Sequence, residues 1–224
     1  MTLNKPASLQ LIIFSFLLCC LAIPSAAQPE ADIEHFRAKY PGSFYITETD
    51  SRDVTFQFGK NGQPQITFTD YNSLFVLTEN ATNLSESREY FSSKFEVKSI
   101  EAYSLVPNQG SYKKQSVTGF TKSIELGEGV FYDDLYAYIF HFPSVAKGTR
   151  LVTTSTTVNT DPYFPIVFYF GNHTPVDQVQ LTLTLPAGVD ISYHMFGYDT
   201  TCVKFTQTKK GRNIIYQWSG NNPK

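Results

Sequence analysis

Side chains that alternate between apolar and polar constrain this chain more than any other feature of its sequence. Between residues 54 and 58 every second side chain is apolar, Asn61-Gly62 follows, and the alternation resumes over residues 66–68. A period of two places one face of a strand on a core, and an Asn-Gly pair tolerates the positive φ angles of a hairpin turn. The sequence therefore predicts a β-hairpin here.

Further segments of the same kind follow, most of them bounded by Gly, Pro or Asn. Residues 135–142 form an almost unbroken apolar and aromatic run, which predicts a strand that is central between layers or covered by a partner. Residues 179–185 alternate strictly, as expected for a half-exposed strand. Other strands are predicted over 95–104, 150–158, 165–170, 203–208 and 213–218, with turns over 106–110 and 209–212.

Two segments depart from this pattern. Ile33, Phe36 and Tyr40 recur at helical spacing, which predicts one short helix over residues 31–40. Residues 83–93 are polar and mixed, which predicts a loop or a short surface helix. With so little helix, the predicted fold class is all-β, an antiparallel β-sandwich, with a long or two-part sandwich as the alternative.

The first residues have the order of a secretory signal peptide. An apolar run over residues 11–23 follows Lys5, and Ser25 and Ala27 place small side chains before the expected cleavage point. We therefore expect a signal peptide over residues 1–27 and an exported mature chain that is periplasmic or extracellular.

Two membrane-attached alternatives are weaker. The apolar run is shorter than the ~20 residues that a bilayer span requires. Lipidation prefers a small residue before the modified cysteine, and Leu18 precedes Cys19. The mature chain is expected to be a soluble β-domain over residues 28–220, with the start of a linker or a truncated end over residues 221–224.

Charge argues against some partners. The chain has 18 Lys and Arg against 20 Asp and Glu, a net charge of −2, so nothing attracts nucleic acid or an anionic membrane. The closest cluster of metal-ligand types is Glu30, Asp32, Glu34 and His35, in the first turn of the predicted helix, where the helix dipole favours acidic residues anyway. No metal site and no cofactor are predicted.

Cys202 is the one cysteine beyond the expected signal peptide. A cysteine nucleophile usually needs a helix N-terminus or a cationic neighbour, and the sequence predicts a strand here. His173 and His194 are the histidines that would have to approach it. We expect Cys202 to be a small apolar side chain packed in a sheet.

Paired carboxylates are the other candidates for catalysis. Asp133 with Asp134, and Glu125 with Glu128, would suit acid and base roles on a glycoside. Strand residues one or three apart point to opposite faces, so neither pair shares a site unless it lies in a turn. A solvated loop is the preferred interpretation, and no catalytic residue is predicted.

Aromatic residues are abundant, with 19 Phe, 14 Tyr and one Trp. Most of the Phe side chains are expected in the core, while exposed Tyr or Trp on a sheet can stack on sugar rings. The residues that would form such a platform are Tyr136, Tyr138, Tyr163, Tyr169 and Trp218.

Several short motifs in order resemble a known family. They are Glu101-Ala102-Tyr103-Ser104-Leu105-Val106-Pro107-Asn108, Tyr132-Asp133-Asp134, Phe142-Pro143, Gly148-Thr149-Arg150-Leu151, Pro162, Pro165, Phe170, Thr174-Pro175-Val176 and Leu185-Pro186-Ala187-Gly188. From about residue 36 to about residue 218 the chain resembles the N-terminal domain of unknown function of exported bacterial transglutaminase-like proteins.

The resemblance implies an all-β sandwich placed before a core with a Cys, His and Asp triad. Cys202 lies inside the β-domain and not at the start of a core helix, so no catalytic residue is carried over. The leading hypothesis is a non-catalytic exported module that supports a transglutaminase-like domain or protein. The alternatives are a stand-alone carbohydrate- or peptide-binding module, and a glycosidase that uses Asp133 or Asp134 with Glu128.

Overall fold

The computed structural model describes residues 29–221, apart from residues 61, 80, 93, 125–134, 160–165, 172–173 and 198–199. One α-helix, α1, spans Pro29–Lys39, close to the predicted helix. The strands are β1 (Tyr45–Phe58), β2 (Pro64–Val76), β3 (Glu86–Ser92), β4 (Glu96–Asn108), β5 (Ser111–Ser116), β6 (Thr121–Ile124), β7 (Leu135–His141), β8 (Arg150–Asn159), β9 (Val176–Pro186), β10 (Val203–Lys210) and β11 (Asn213–Asn221). The described residues are therefore mostly β, as the sequence predicts.

The strands form a large mixed sheet and a smaller sheet. The large sheet has the order β10-β11-β9-β1-β2-β8-β4-β5, and the small sheet has the order β3-β7-β6. Among the strands of the described residues every pair is antiparallel except β1 with β9, which are parallel with Thr47 opposite Val176. The predicted antiparallel arrangement holds for the other pairs and is wrong at this one. Parallel neighbours need a long connection, and here most of the chain lies between them.

The predicted hairpin is confirmed as β1 and β2. Phe58 lies opposite Pro64, and the amide of Gly59 donates to the carbonyl oxygen of Gln63 at 2.8 Å. Gly62 has a φ of 75°, a conformation that side chains with a Cβ rarely adopt. Asn61 lies outside the described residues. Both strands extend well beyond the predicted alternation, to 14 and 13 residues.

The aromatic run forms a strand as predicted, β7, which lies between β3 and β6 in the small sheet. Phe140 of β7, and Phe142 directly after the end of β7, pack against Val76 of β2, Ala102 of β4 and Leu151 of β8. The even-numbered residues of β2 therefore face the small sheet. This apolar cluster attaches one end of the small sheet to the large one, and burial of such side chains is the main source of stability.

The helix covers the opposite face of the large sheet. Phe36 and Tyr40 are buried against Ile46, Phe75 and Leu77. The Tyr40 hydroxyl donates to Asp177 Oδ1 at 2.6 Å, and burial together with that bond raises the pKa of Tyr40 above its ordinary value. The helix therefore docks through apolar contacts backed by a polar anchor on β9.

Arg150 of β8 is a second anchor for the helix. Its guanidinium donates to Asp32 of α1 at 3.0 Å and to Glu48 of β1 at 2.7 and 2.9 Å. It also lies over the rings of Phe75 and Tyr112. Burial alone would lower the pKa of Arg150, but the hydrogen bonds and charge of Glu48, together with the charges of Tyr112 and Asp32, outweigh burial and raise the pKa.

Two local predictions are wrong. Residues 86–92 of the predicted loop or surface helix form β3, whose inner face carries Ser87, Glu89 and Phe91. Because that face is partly polar, the segment lacks the apolar alternation by which a strand is predicted. The described part of the predicted strand over 165–170 is irregular. There Arg52 Nη1 donates to the carbonyl oxygen of Val167 at 3.1 Å.

The remaining strand predictions are confirmed, at 95–104, 150–158, 179–185, 203–208 and 213–218, in β4, β8, β9, β10 and β11. The chain turns at Gln109-Gly110 and Gly211-Arg212, within the predicted turns. No helix in the described part of the chain is long and apolar enough to cross a membrane.

Candidate ligand-binding cleft

Two polar rows cross the large sheet on the face that it turns toward the small sheet. In the first row Asp50 of β1 lies opposite Asn72 of β2, which lies opposite Thr153 of β8. In the second row the three positions are Arg52, Asp70 and Ser155. Neighbouring residues of β2 on the same face are apolar, namely Ile66, Phe68, Leu74 and Val76. Charged and polar groups therefore interrupt an otherwise apolar face.

The polar rows form the floor of an open cleft of about 610 Å³. One wall is β3 of the small sheet, and the described residues 166 and 167 close another side. The lining residues are Asp50, Arg52, Phe68, Asp70, Tyr71, Asn72, Glu89, Tyr90, Phe91, Ser92, Phe95, Leu135, Thr153, Ser155, Thr157, Ile166 and Val167. A concave site with apolar walls and a few convergent polar groups is typical of ligand binding.

Arg52 is held in place on several sides. Its Nε lies 2.5 Å from Asp70 Oδ1 and its Nη2 lies 3.2 Å from Asp70 Oδ2, so the pair is bidentate. The guanidinium also lies 5.9 Å from the ring centre of Phe68 and 6.0 Å from that of Phe168. These contacts fix the orientation of Arg52 and connect the irregular segment at 166–170 to the floor of the cleft.

Glu89 points from the inner face of β3 toward the two acidic residues of the floor. Burial raises the pKa of Glu89 to about 7, and the negative charges of Asp70 and Asp50 raise it further. The positive charge of Arg52 lowers the pKa in part. Burial and the charge of Asp70 also raise the pKa of Asp50, while Arg52 and a hydrogen bond with the Asn72 side chain lower it. The cleft is therefore a site of concentrated negative charge.

Hydroxyl groups cover the part of the floor contributed by β8. Thr153, Ser155 and Thr157 line the cleft, yet these residues are only 7, 3 and 4 % exposed. Among the residues that the structure describes, no side-chain partner of these hydroxyl groups is found. The apolar wall includes Phe95, whose ring meets that of Phe68 edge-on at 5.4 Å. The polar floor and the aromatic wall therefore line the same cleft.

Cys202 lies elsewhere, at the end of a one-turn 3₁₀ helix over Thr200–Cys202, directly before β10. It is half-buried. His194 lies on an exposed segment near residues 191–197, and His173 lies outside the described residues. The four acidic candidates Glu125, Glu128, Asp133 and Asp134 also lie outside the described residues.

The acidic residues at the start of α1 have structural partners. Asp32 accepts hydrogen bonds from the Tyr112 hydroxyl at 2.9 Å and from Arg150 at 3.0 Å. Glu30, Glu34 and His35 are exposed. Within the described ranges no group of three or more His, Cys, Asp or Glu is arranged to hold a metal ion.

The described residues of the predicted aromatic platform are not exposed together. Trp218 is 4 % exposed and belongs to an apolar cluster with Val54, Phe68 and Leu183. Tyr136 and Tyr138 are half-buried on the inner face of β7, where both contact Phe91 of β3. Tyr169 is 78 % exposed, and Tyr163 lies outside the described residues.

Sequence reasoning missed the cleft residues, although the sequence holds a signal for them. Counting back in steps of two from Val54 reaches Arg52 and Asp50, and counting forward from Phe68 reaches Asp70 and Asn72. Charged and polar residues therefore occupy positions that the alternation assigns to the core face. Glu89 gives no such signal, because the mostly polar sequence around it lacks the apolar alternation of a strand.

Comparisons with known proteins place the chain in a family of undetermined role. A family model described as a domain of unknown function with a solved structure, DUF3857, matches residues 65–224. No curated protein matches the chain.

Among solved structures, a candidate protease from Parabacteroides distasonis superposes with a TM-score of 0.59 at 14 % identity. The match covers 80 % of this chain and 36 % of that one, so the present chain spans about a third of that protein. An M1 zinc metallopeptidase from Deinococcus radiodurans gives a TM-score of 0.41 at 12 % identity, over 78 % of this chain and 39 % of that one. A candidate nutrient-binding protein from Legionella pneumophila also gives a TM-score of 0.41, at 7 % identity. That match covers 80 % of this chain and 64 % of that one. Of these three superpositions, the first is close enough to bear on the fold.

Proposed function

Because the chain belongs to the DUF3857 family of domains of unknown function, we propose its function from the cleft itself: a non-catalytic module that binds a ligand between its two sheets. The observation that carries this proposal is the convergence of Asp50, Arg52 and Asp70 from the large sheet with Glu89 from the small sheet. The sandwich arrangement of the sheets around the cleft is part of the same proposal.

The energetics of the cleft support a ligand-binding role. Asp50 and Glu89 have raised pKa values, which means that the fold disfavours their charged forms. Apolar residues of similar size at core-facing positions usually stabilise a fold at least as well as buried ions. Charged residues at such positions are therefore better explained by what they bind than by the stability they provide.

The composition of the cleft supports the part of the proposal that excludes a Cys, His and Asp triad from this site. Among the described lining residues there is no His, Cys or Lys. Hydroxyl nucleophiles such as Ser155 need a base within hydrogen-bond reach that is itself oriented by a third group. Cys202 lies before β10 and is not among the lining residues.

The wider role that we propose is that of an accessory domain in an exported protein. The predicted signal peptide over residues 1–27 and the motif resemblance to domains that precede transglutaminase-like cores support it. In the candidate protease from Parabacteroides distasonis the matching region is also part of a longer chain. A stand-alone carbohydrate- or peptide-binding module is the alternative, and it uses the same cleft.

Ligand binding is tested by recording ¹⁵N NMR spectra of the purified protein with a library of small peptides, amines and saccharides. We expect ligands to shift the amide signals of residues 50–52, 70–72 and 153–157 together. The variant Asp50→Asn should lose those ligands, whereas Asp53→Asn, an exposed residue on the opposite face of β1, should keep them. Ligands that shift only other regions, or no ligand at all, would overturn the proposal.

The non-catalytic role has its own assay. The purified protein should show no transglutaminase or peptidase activity on a glutamine-containing peptide and a casein substrate. Activity that disappears in Cys202→Ala would contradict this part of the proposal and would assign the chain to enzymes.

A further inference from the structure

We infer that the cleft recognises a protonated primary amine, held between Asp50 of β1 and Glu89 of β3. This inference rests on the proposed function, and it names the chemical class of the ligand. The candidate probe of this class is a lysine side chain in a short peptide, with its ammonium group in the cleft and its aliphatic stem along the aromatic wall.

The charges of the cleft leave these two carboxylates for a ligand. Arg52 is the cation among the described lining residues, and its Nε and Nη2 atoms reach the two oxygens of Asp70. That pair is close to neutral. Asp50 then has the side chain of Asn72 as its neutral partner, and Glu89 faces Asp50 and Asp70 from the opposite sheet. The remaining charge of the cleft is negative and comes from both sheets, from Asp50 of the large sheet and Glu89 of the small sheet.

A second observation points to a ligand with hydrogen-bond donors. Ser155 and Thr157 line the same cavity, are more than nine-tenths buried, and have no side-chain partner among the described residues. Buried polar groups are normally hydrogen-bonded, so groups of this kind in an open cleft are available to an occupant. An ammonium group has three donors, and it can therefore bind carboxylates and hydroxyls that lie in different directions.

An organic cation fits the cleft better than a metal ion. The described residues hold no group of three His, Cys, Asp or Glu arranged for a metal. The volume of about 610 Å³ is that of a site for a small organic molecule, and Phe91 and Phe95 give it an aromatic wall. A guanidinium prefers a planar, bidentate carboxylate partner, and Asp70 already serves Arg52 in that way. A primary amine has no such planar requirement.

Protonation of Glu89 should compete with the ligand. The charged groups that face Glu89 are Asp50, Asp70 and Arg52, and Tyr138 lies opposite it on β7. Because the Glu89 carboxyl is half protonated near neutral pH, Glu89 gains negative charge as the pH rises from about 6 to about 8. An ammonium ligand should therefore bind more tightly over that range. A neutral ligand would not show that dependence.

The test compares two blocked tripeptides that differ in one charge, Ac-Ala-Lys-Ala-NH₂ and the same peptide with an Nε-acetylated lysine. Binding is followed at about pH 8 by ¹⁵N chemical shifts and calorimetry. We expect the lysine peptide to bind and to shift cleft amides, and the acetylated peptide to bind at least tenfold more weakly, the usual effect of losing a charge-assisted bond.

Variants separate the inference from the proposed function. Glu89→Gln should weaken lysine-peptide binding about tenfold or more and remove its pH dependence, while Glu86→Gln, on the outer face of the same strand, should leave both unchanged. Equal binding of both peptides in the cleft would overturn the amine inference and leave the proposed function standing. Binding of neither peptide, when another ligand occupies the cleft, would also overturn only the inference. If nothing binds in the cleft, both fail.

Discussion

Arg52 of β1 lies directly opposite Asp70 of β2 and binds both of its carboxylate oxygens, at 2.5 and 3.2 Å. The side chains of the two residues remain about one-third exposed, at 31 and 33 %. The pair therefore sits at the floor of an open cleft and not inside the apolar core. It positions the segment at 166–170 and cancels one of the three negative charges of the site.

The Arg52–Asp70 pair should contribute measurably but modestly to stability. A double-mutant cycle with Arg52→Ala and Asp70→Ala should give a coupling of roughly 1 kcal/mol in urea denaturation, because solvent screens a pair of this exposure. The exposed pair Arg88 and Glu86 on β3 is the matched control, with an expected coupling of roughly 0–0.5 kcal/mol. Equal couplings for both pairs would show that the bidentate geometry adds nothing.

Glu89 should make the fold less stable as the pH rises. Its pKa is about 7 in the folded protein against 4.5 for the ordinary group, so between these values the folded state binds more protons than the unfolded state. Stability is therefore highest below about pH 4.5 as far as this group is concerned, and it falls until the pH passes about 7. Glu89→Gln should remove this dependence and stabilise the protein by about 3 kcal/mol at about pH 8.

Urea denaturation at about pH 5 and about pH 8 measures that difference. Glu86→Gln, whose side chain lies on the exposed face of β3, should follow the original protein at both values. A stabilisation by Glu89→Gln of the same size at both pH values would mean that the raised pKa of Glu89 is not its cause.

Arg150 should be essential for docking of the helix. Its side chain is 13 % exposed and is bound to Asp32 and Glu48, so Arg150→Met leaves two partly buried carboxylates without their cation. We expect a loss of about 3–5 kcal/mol in the free energy of unfolding. Lys98→Met, which removes an exposed partner of Glu96, should change it by no more than about 0.5 kcal/mol. A comparable loss in both variants would contradict this account.

Phe36 should provide most of the apolar contact between α1 and the large sheet. It is 5 % exposed, and its ring centre lies 5.0 Å from that of Phe75. Phe36→Ala should cost about 3–5 kcal/mol, measured by denaturant unfolding, because it leaves a cavity under the helix. Phe44→Ala is the control: Phe44 is 59 % exposed, and the expected change is about 0.5 kcal/mol. A small effect of Phe36→Ala would mean that the helix is held by its polar anchors instead.

Local sequence determined the helix, the hairpin of β1 and β2, and most of the remaining strands. These elements depend on interactions between residues that are near in sequence: a period of 3.6 or 2 in the side chains, and glycine at turn positions such as Gly62 with a φ of 75°. The same local rule failed for β3, because the inner face of that strand places the half-buried Glu89 next to the buried Phe91, and a charged residue on an inner face conceals the alternation.

Only the tertiary structure decided the parallel pairing of β1 with β9 and the composition of the cleft. Asp50 and Glu89 belong to strands in different sheets. Their proximity depends on the pairing of β3 with β7 and on the packing of β7 against the large sheet. Nothing in the sequence around either residue specifies the other. Contacts of this kind are fixed by the packing of side chains such as Phe140 against Val76, whose energy depends on the whole assembled core and not on local sequence.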